Sequence, residues 1–220
     1  MPAVTIDVVS DVVCPWCFLG QKRLAEAISL AGGIDVDVRW RPFQLDPSIP
    51  LGGVDRKAYM EAKFGSGDKV KAAHDRLLGL GGPAGINFAF GDIKIAPNTL
   101  DAHRVIRWAF GAGGGSVQGA VVAALFKAFF EDGRDLGDHI VLIDTAESAG
   151  MDRALVTALL ASDADIDTVT EEIRAAQNMG ITGVPFFLLD GKYAVPGAQE
   201  TEVLAGAIAQ VAKLKAESAA

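Results

Sequence analysis

The run from Val8 to Ile28, VVSDVVCPWCFLGQKRLAEAI, carries both cysteines of the chain at the point where a strand pattern turns into a helix pattern. Ahead of the pair, Val4 to Val9 are mostly apolar and β-branched, the make-up of a buried strand. From Pro15 to about Ala31 the residues Phe18, Leu19, Leu24, Ala25 and Ile28 recur at helical spacing, and Gly32-Gly33 supply a stop. The next run, IDVDVRWRPF, alternates Ile34, Val36, Val38 and Trp40 with polar neighbours, the period of a strand with one buried face. This β-α-β order implies a parallel strand pair joined by a helical crossover. Cys14 and Cys17 therefore belong at a strand-to-helix junction in an α/β layer.

A C-x-x-C pair can be half of a metal site, a structural staple or a redox couple. Two cysteines cannot complete a four-cysteine zinc site, and His74, His103 and His139 stand far apart in the sequence and far from the pair. A disulfide between Cys14 and Cys17 would close too short a loop to constrain much chain entropy. Thiol exchange fits better. The thiolate is the reactive form, and the unpaired N–H groups and macrodipole at a helix start favour it. Proline suits the first helical position, so Pro15 puts the helix start immediately after Cys14. Cys17 then lies one turn inward, shielded but within reach. In that arrangement Cys14 attacks a partner disulfide and Cys17 resolves the mixed disulfide from behind. Trp16 either offers an apolar surface to a bound peptide or packs into the core.

From Asp55 to about Ala161 the chain reads as helices divided by GLGGPAG, APNT, GAGGG and EDGRDLGD, with little strand signal between them. NTLDAHRVIRWAFGAG offers Asn98 or Thr99 as a cap ahead of Leu100, His103, Ile106 and Phe110. GAGGG, residues 111–115, reads as a flexible loop between helices; no strand precedes it and no Lys-Ser/Thr pair follows, as a phosphate cradle requires. A helix at about Ile166 to Met179 is followed by Phe186 to Leu189, a tight turn at Asp190-Gly191, and Tyr193 to Val195, which together predict a hairpin. A closing helix from Glu200 to about Lys215 carries Val203, Leu204, Ile208 and Val211 in one stripe, and the final AKLKAESAA reads as a frayed end. The acidic segments DLGDH and DADID read as loop and cap chemistry. The order is β-α-β, helical insertion, α-β-β-α. An α/β domain is expected over 1–54 and 162–220, with an inserted helical domain over 55–161.

Half of the 220 residues are apolar, enough for a substantial core. A net charge of −8 disfavours nucleic acid as a partner. No stretch approaches the roughly 20 apolar residues that cross a bilayer, so no membrane span is expected. MPAVTIDVVS lacks the basic start and long apolar run of a secretory leader, and cytoplasmic residence is the expectation. Cytosolic thiols are normally kept reduced.

Strand-CPWC-helix, a helical insertion and a late GVPFF hairpin resemble the thioredoxin-fold oxidoreductases of the DsbA family. DVVCPWCFLG, RWRPFQLDP, PNTLDAHR and GITGVPFFLLDGKYAVPGAQ are similar to its FrnE-like branch, over nearly the whole chain. The resemblance implies a thioredoxin-like α/β fold and thiol-disulfide exchange on protein or peptide substrates. It implies a cis Val184–Pro185 peptide beside the cysteines, with Val184 backbone groups pairing with an extended substrate. Asn98 and His103 are candidates to line the cleft facing Cys14; otherwise Asn98 caps a helix and His103 is a hydrogen-bonded packing residue. Arg104 and Arg107 read as solvent-facing charges or ion-pair partners.

NTLDAHR and RPF are shared with kappa-class glutathione transferases and 2-hydroxychromene-2-carboxylate isomerases, which supply the rival reading of a glutathione-dependent enzyme. Those relatives usually place serine at the Cys14 position and Ser-Asp where this chain has Ala198-Gln199. A binding module or chaperone without redox chemistry is the third class. No bound metal or organic cofactor is expected, glutathione or another small thiol being the natural reductant. The resemblance allows a homodimer, although no apolar stripe marks an interface.

Overall fold

The computed structural model describes residues 4–65 and 67–218. The expected opening unit is there: β1 (Val4–Ser10), α1 (Pro15–Leu30) and β2 (Val36–Pro42), with β1 and β2 parallel and Val4 opposite Val36. The hairpin β5 (Phe186–Leu189) and β6 (Tyr193–Pro196) adds antiparallel to β1, so the sheet order is β2-β1-β5-β6. Asp190 and Gly191 have φ of 49° and 67°, and Lys192 N–H bonds back to the Leu189 carbonyl. Positive φ at both central residues is the primed hairpin turn that matches strand twist. Helix α8 (Thr201–Ser218) packs along α1, and α7 (Ile166–Asn178) against β2. Ala219 and Ala220, the tip of the expected frayed end, lie outside the described residues.

Strand alternation divides the core. Val4, Ile6 and Val8 are buried in the main apolar cluster with Leu24 of α1 and Leu204 and Ile208 of α8. Val9 joins Phe43, Ala176 and Ile181 in a second cluster on the α7 side. The sheet thus has helices on both faces, as a parallel pair requires.

Between β2 and α7 lie β3 (Val54–Asp55), α2 (Arg56–Phe64), α3 (Gly67–Gly81), β4 (Ile95–Ala96), α4 (Leu100–Phe130), α5 (His139–Ser148) and α6 (Arg153–Leu160). The antiparallel β3–β4 pair was not expected; two residues a side are too few to show a period. Asp138 caps α5 and Asp152 caps α6, each carboxylate accepting a backbone N–H of the first turn. Phe18 of α1 stacks on Phe126 of α4 with centroids 5.2 Å apart and meets Phe88 edge-on at 5.9 Å, which locks the cysteine helix to the insertion.

Helix α4 departs from expectation in three ways. GAGGG is no flexible loop. Only Gly113 and Gly114 leave helical geometry, and the helix resumes with Gly115 so close to β2 that a Cβ there would lie 2.5 Å from the Val38 carbonyl oxygen. Gln118 then accepts from Trp40 N–H at 2.8 Å and donates to Trp40 C=O at 3.2 Å, covering the β2 edge as a neighbouring strand would. Second, α4 is long and apolar enough by length and composition to cross a bilayer, contrary to the sequence reading. Its break and its packing on β2, α5 and α7 are those of a core helix. Third, of the two roles expected for Arg104 the structure shows the ion-pair partner, to Asp101, and not the solvent-facing charge. Arg104 is buried and donates to the carbonyls of Leu159, Ser162 and Ala164 and to Asp101, tying α4 to the α6–α7 connection. Arg107 pairs with Asp165 and Glu172 of the same connection and α7.

Candidate active site

Cys14 is the N-cap of α1, in extended conformation (φ −92°, ψ 112°), and Pro15 occupies the first turn. The chain reaches it through a turn in which Cys14 N–H bonds to Asp11 C=O at 3.0 Å, and Cys17 N–H closes the first helical turn on Cys14 C=O at 3.0 Å. No acidic residue stands in that first turn, so the positive end of the helix dipole is uncompensated at Cys14. Both cysteines are free thiols.

Cys14 faces the Val184–Pro185 segment. Its thiol donates to the Val184 carbonyl at 3.6 Å, and the Val184–Pro185 peptide is cis. The next turn of α1 presses against the same segment: a Cβ on Gly20 would come 2.9 Å from Pro185 Cγ and 3.2 Å from Phe187 Cζ. Only a residue without a side chain permits that approach. Trp16 is half-buried, and the Arg76 guanidinium of α3 lies over its ring at 5.2 Å. Cys14, Pro15, Trp16, Val184 and Pro185 are thus gathered into one locality. Cys14 itself is 4% exposed in this state.

Cys17 is covered more completely, at 1% exposure. Burial pushes its thiol well above the ordinary range, and the neighbouring Cys14 thiol pushes it further. The Ser10 hydroxyl and the Asp11 N–H act in the opposite sense.

Asn98 and His103 both make the structural hydrogen bonds that the alternative reading expected of them. His103 is buried, with Nε2 2.9 Å from the Phe43 carbonyl and 3.5 Å from Asp11 Oδ1. A carbonyl only accepts, so Nε2 carries the proton. Asp11 Oδ2 accepts the Leu45 N–H at 2.8 Å, while Oδ1 has no hydrogen-bond partner in good geometry. Asn98 donates to Ile49 C=O at 2.6 Å, and its Oδ1 accepts from Leu100 N–H at 2.9 Å and from Gln44 at 3.1 Å. It bonds the first turn of α4 and anchors the loop after β2. His103 neighbours Asp11, whose carbonyl accepts the Cys14 N–H.

Ser10 and Asp11 are the site residues that the sequence reading missed. Their signal is the polar pair in VVSDVVC, interrupting an otherwise apolar run just before the motif.

A strand-helix cysteine pair on this sheet, apposed to a cis-proline segment, defines a thioredoxin-like scaffold. Residues 5–209 match the DSBA-like thioredoxin domain; the chain belongs to that family. It is 30% identical to the uncharacterized protein YwbO of Bacillus subtilis (strain 168), over 96% of this chain and 99% of that one. The crystal structure of a probable DsbA oxidoreductase, SCO1869 from Streptomyces coelicolor, is similar with a TM-score of 0.85 and 33% identity, covering 94% of this chain and 89% of the other. The cytosolic disulfide reductase DsbM from Pseudomonas aeruginosa shares the fold with a TM-score of 0.68 at 19% identity, covering 96% and 99%.

Proposed function

We propose that this protein is a thiol-disulfide oxidoreductase that exchanges disulfides with protein or peptide substrates through Cys14 and Cys17. The observation that carries the reading is the placement of the Cys14 thiol at the uncapped mouth of α1, 3.6 Å from the Val184 carbonyl, with Cys17 one turn behind. Cys14 sulfur attacks one sulfur of a substrate disulfide, forming a mixed disulfide and releasing the other as thiolate. Cys17 then displaces the substrate and closes the Cys14–Cys17 bond. The substrate backbone pairs with Val184 in extended form, replacing the Cys14 thiol at its carbonyl. In a reducing cytoplasm the direction is reduction or isomerisation, with glutathione or another small thiol returning the pair to the dithiol state.

The glutathione-dependent isomerase reading has less support here. Cys14 stands where those enzymes usually place serine, and Gln199 turns its amide back onto the Pro196 carbonyl at 2.7 Å. Ala198 offers a carbonyl already taken by Arg23 at 2.7 Å.

Insulin reduction and refolding of a scrambled disulfide substrate test the activity, and equilibration with glutathione tests its direction. Catalysed reduction and refolding are expected, with a potential at or below about −220 mV. A strongly oxidising potential overturns the direction; failure in both assays overturns the activity.

A further inference from the structure

Arg76 of α3 reaches the front of the site, its guanidinium 5.2 Å from the centroid of the half-buried Trp16 ring, two residues along from Cys14. Arg76 is exposed, and no carboxylate among the described residues pairs with it. Its own helix offers none, since the positions three and four residues either side are Ala72, Ala73, Gly79 and Leu80. The adjacent carboxylate, Asp75, is held by Lys71 at 2.6 Å. Other cations on the neighbouring elements are taken: Arg23 of α1 by Glu200 at 2.7 Å, and Lys63 of α2 by Asp46 at 3.5 Å. Lys22 lies over the Phe18 ring at 5.6 Å, further along α1. A cation over a ring face consumes none of the five N–H donors of a guanidinium. The stack restrains the side chain in advance, which lowers the entropy cost of a second contact.

We infer that Arg76 is a specificity-determining residue of the exchange reaction, selecting peptide disulfides with an acidic residue next to the reacting cysteine. This rests on the dithiol-exchange reading, in which the substrate backbone lies extended along Val184 and its disulfide meets Cys14. The residues flanking the substrate cysteine then pass beside Trp16, and a carboxylate among them meets the guanidinium fork, which matches it in geometry and charge. On a chain of net charge −8 this is a local exception: an open cation at the mouth of the site. A purely structural Arg76, holding α3 to α1 through Trp16, has no dependence on substrate charge.

Three peptides with the same intramolecular disulfide test the inference, differing only in glutamate, glutamine or lysine beside the cysteines. Single-turnover reduction by the dithiol protein at low ionic strength gives each a half-saturating concentration and a limiting rate. The glutamate peptide half-saturates at a concentration about two- to fivefold below the glutamine peptide, as expected for one exposed ion pair, and the lysine peptide at a correspondingly higher one. Limiting rates stay alike. In about 1 M salt, where the screening length is about 3 Å, the three converge. Arg76→Lys keeps the order, Arg76→Gln removes it and Arg76→Glu reverses it. Equal values for the three peptides in the wild-type protein, an equal shift of all three in Arg76→Gln, or an order that survives Arg76→Gln and disappears in Lys22→Gln overturns the inference while leaving dithiol exchange intact. Failure of the wild-type protein to reduce any of the three overturns the exchange reading, and the inference with it.

Discussion

The two sulfurs are three residues apart on one helix and meet opposite environments. Cys14 is served from the front by an exchangeable partner, the Val184 carbonyl at 3.6 Å, beside a half-buried tryptophan. Cys17 is covered more completely, and the polar residues Ser10, Asp11 and His103 are buried too. Both cysteines are covered in this state, the first at 4% exposure and the second at 1%. The lesson is that spacing sets the reach of the pair, whereas the strand end and α4 set the division of labour.

The largest expected break in this contrast comes from the cysteines themselves. Cys14→Ser loses at least about 1000-fold in insulin reduction, because the attacking sulfur is gone. Cys17→Ser keeps the first step and loses turnover, and single-turnover kinetics distinguish the two.

Next come the buried polar residues. His103→Ala removes the donor to the Phe43 carbonyl and the neighbour of Asp11, and costs about 1–3 kcal/mol in urea unfolding. His103→Gln recovers part of that loss. On the front wall, Gly20→Ala drives a methyl into Pro185 and costs about 1–3 kcal/mol, with slower attack by Cys14 as the accompanying sign that the Val184–Pro185 segment has shifted. Both effects are read from denaturation midpoints at constant m-value.

Ionisation sharpens the contrast further. Because burial raises the Cys17 thiol in the folded state, the unfolded chain ionises first. The reduced protein keeps this contribution below the ordinary thiol pKa of about 8.5 and loses it above, at up to about 1.4 kcal/mol per pH unit. Stability of Cys17→Ala measured from pH 7 to 10 falls less steeply than that of the wild type. The smallest effect belongs to Trp16→Ala: loss of the Arg76 contact costs about 0.5–1 kcal/mol of stability, and any larger loss appears in KM for peptide substrates.

The front of this site was legible in the sequence and the back was not. Cys14, Pro15 and Cys17 announce themselves through local order, a strand, a cap position and a first helical turn, all within one short run. The hairpin turn at Asp190-Gly191 was equally local. The buried polar residues depend on partners remote in the chain: Asp11 bonds Leu45, 34 residues on, and His103 bonds Phe43, 60 residues back. The hydrogen-bonded packing role of His103 was one of its two expected readings, but a lone histidine on an apolar helix does not name its partner, which only the fold supplies. The ion pair of Arg104 with Asp101 is local and was one of its two expected roles, whereas the carbonyls that complete its bonding lie 55 to 60 residues away. Glycines 111–115 read as slack because only the fold shows that the Val38 carbonyl leaves no room for a side chain at Gly115.

Trapping tests the central claim most directly. Cys17→Ser, incubated with an oxidised peptide and run without reductant, should accumulate a covalent adduct through Cys14 that dithiothreitol releases and that Cys14→Ser prevents. No adduct, or an adduct that survives loss of Cys14, contradicts the account.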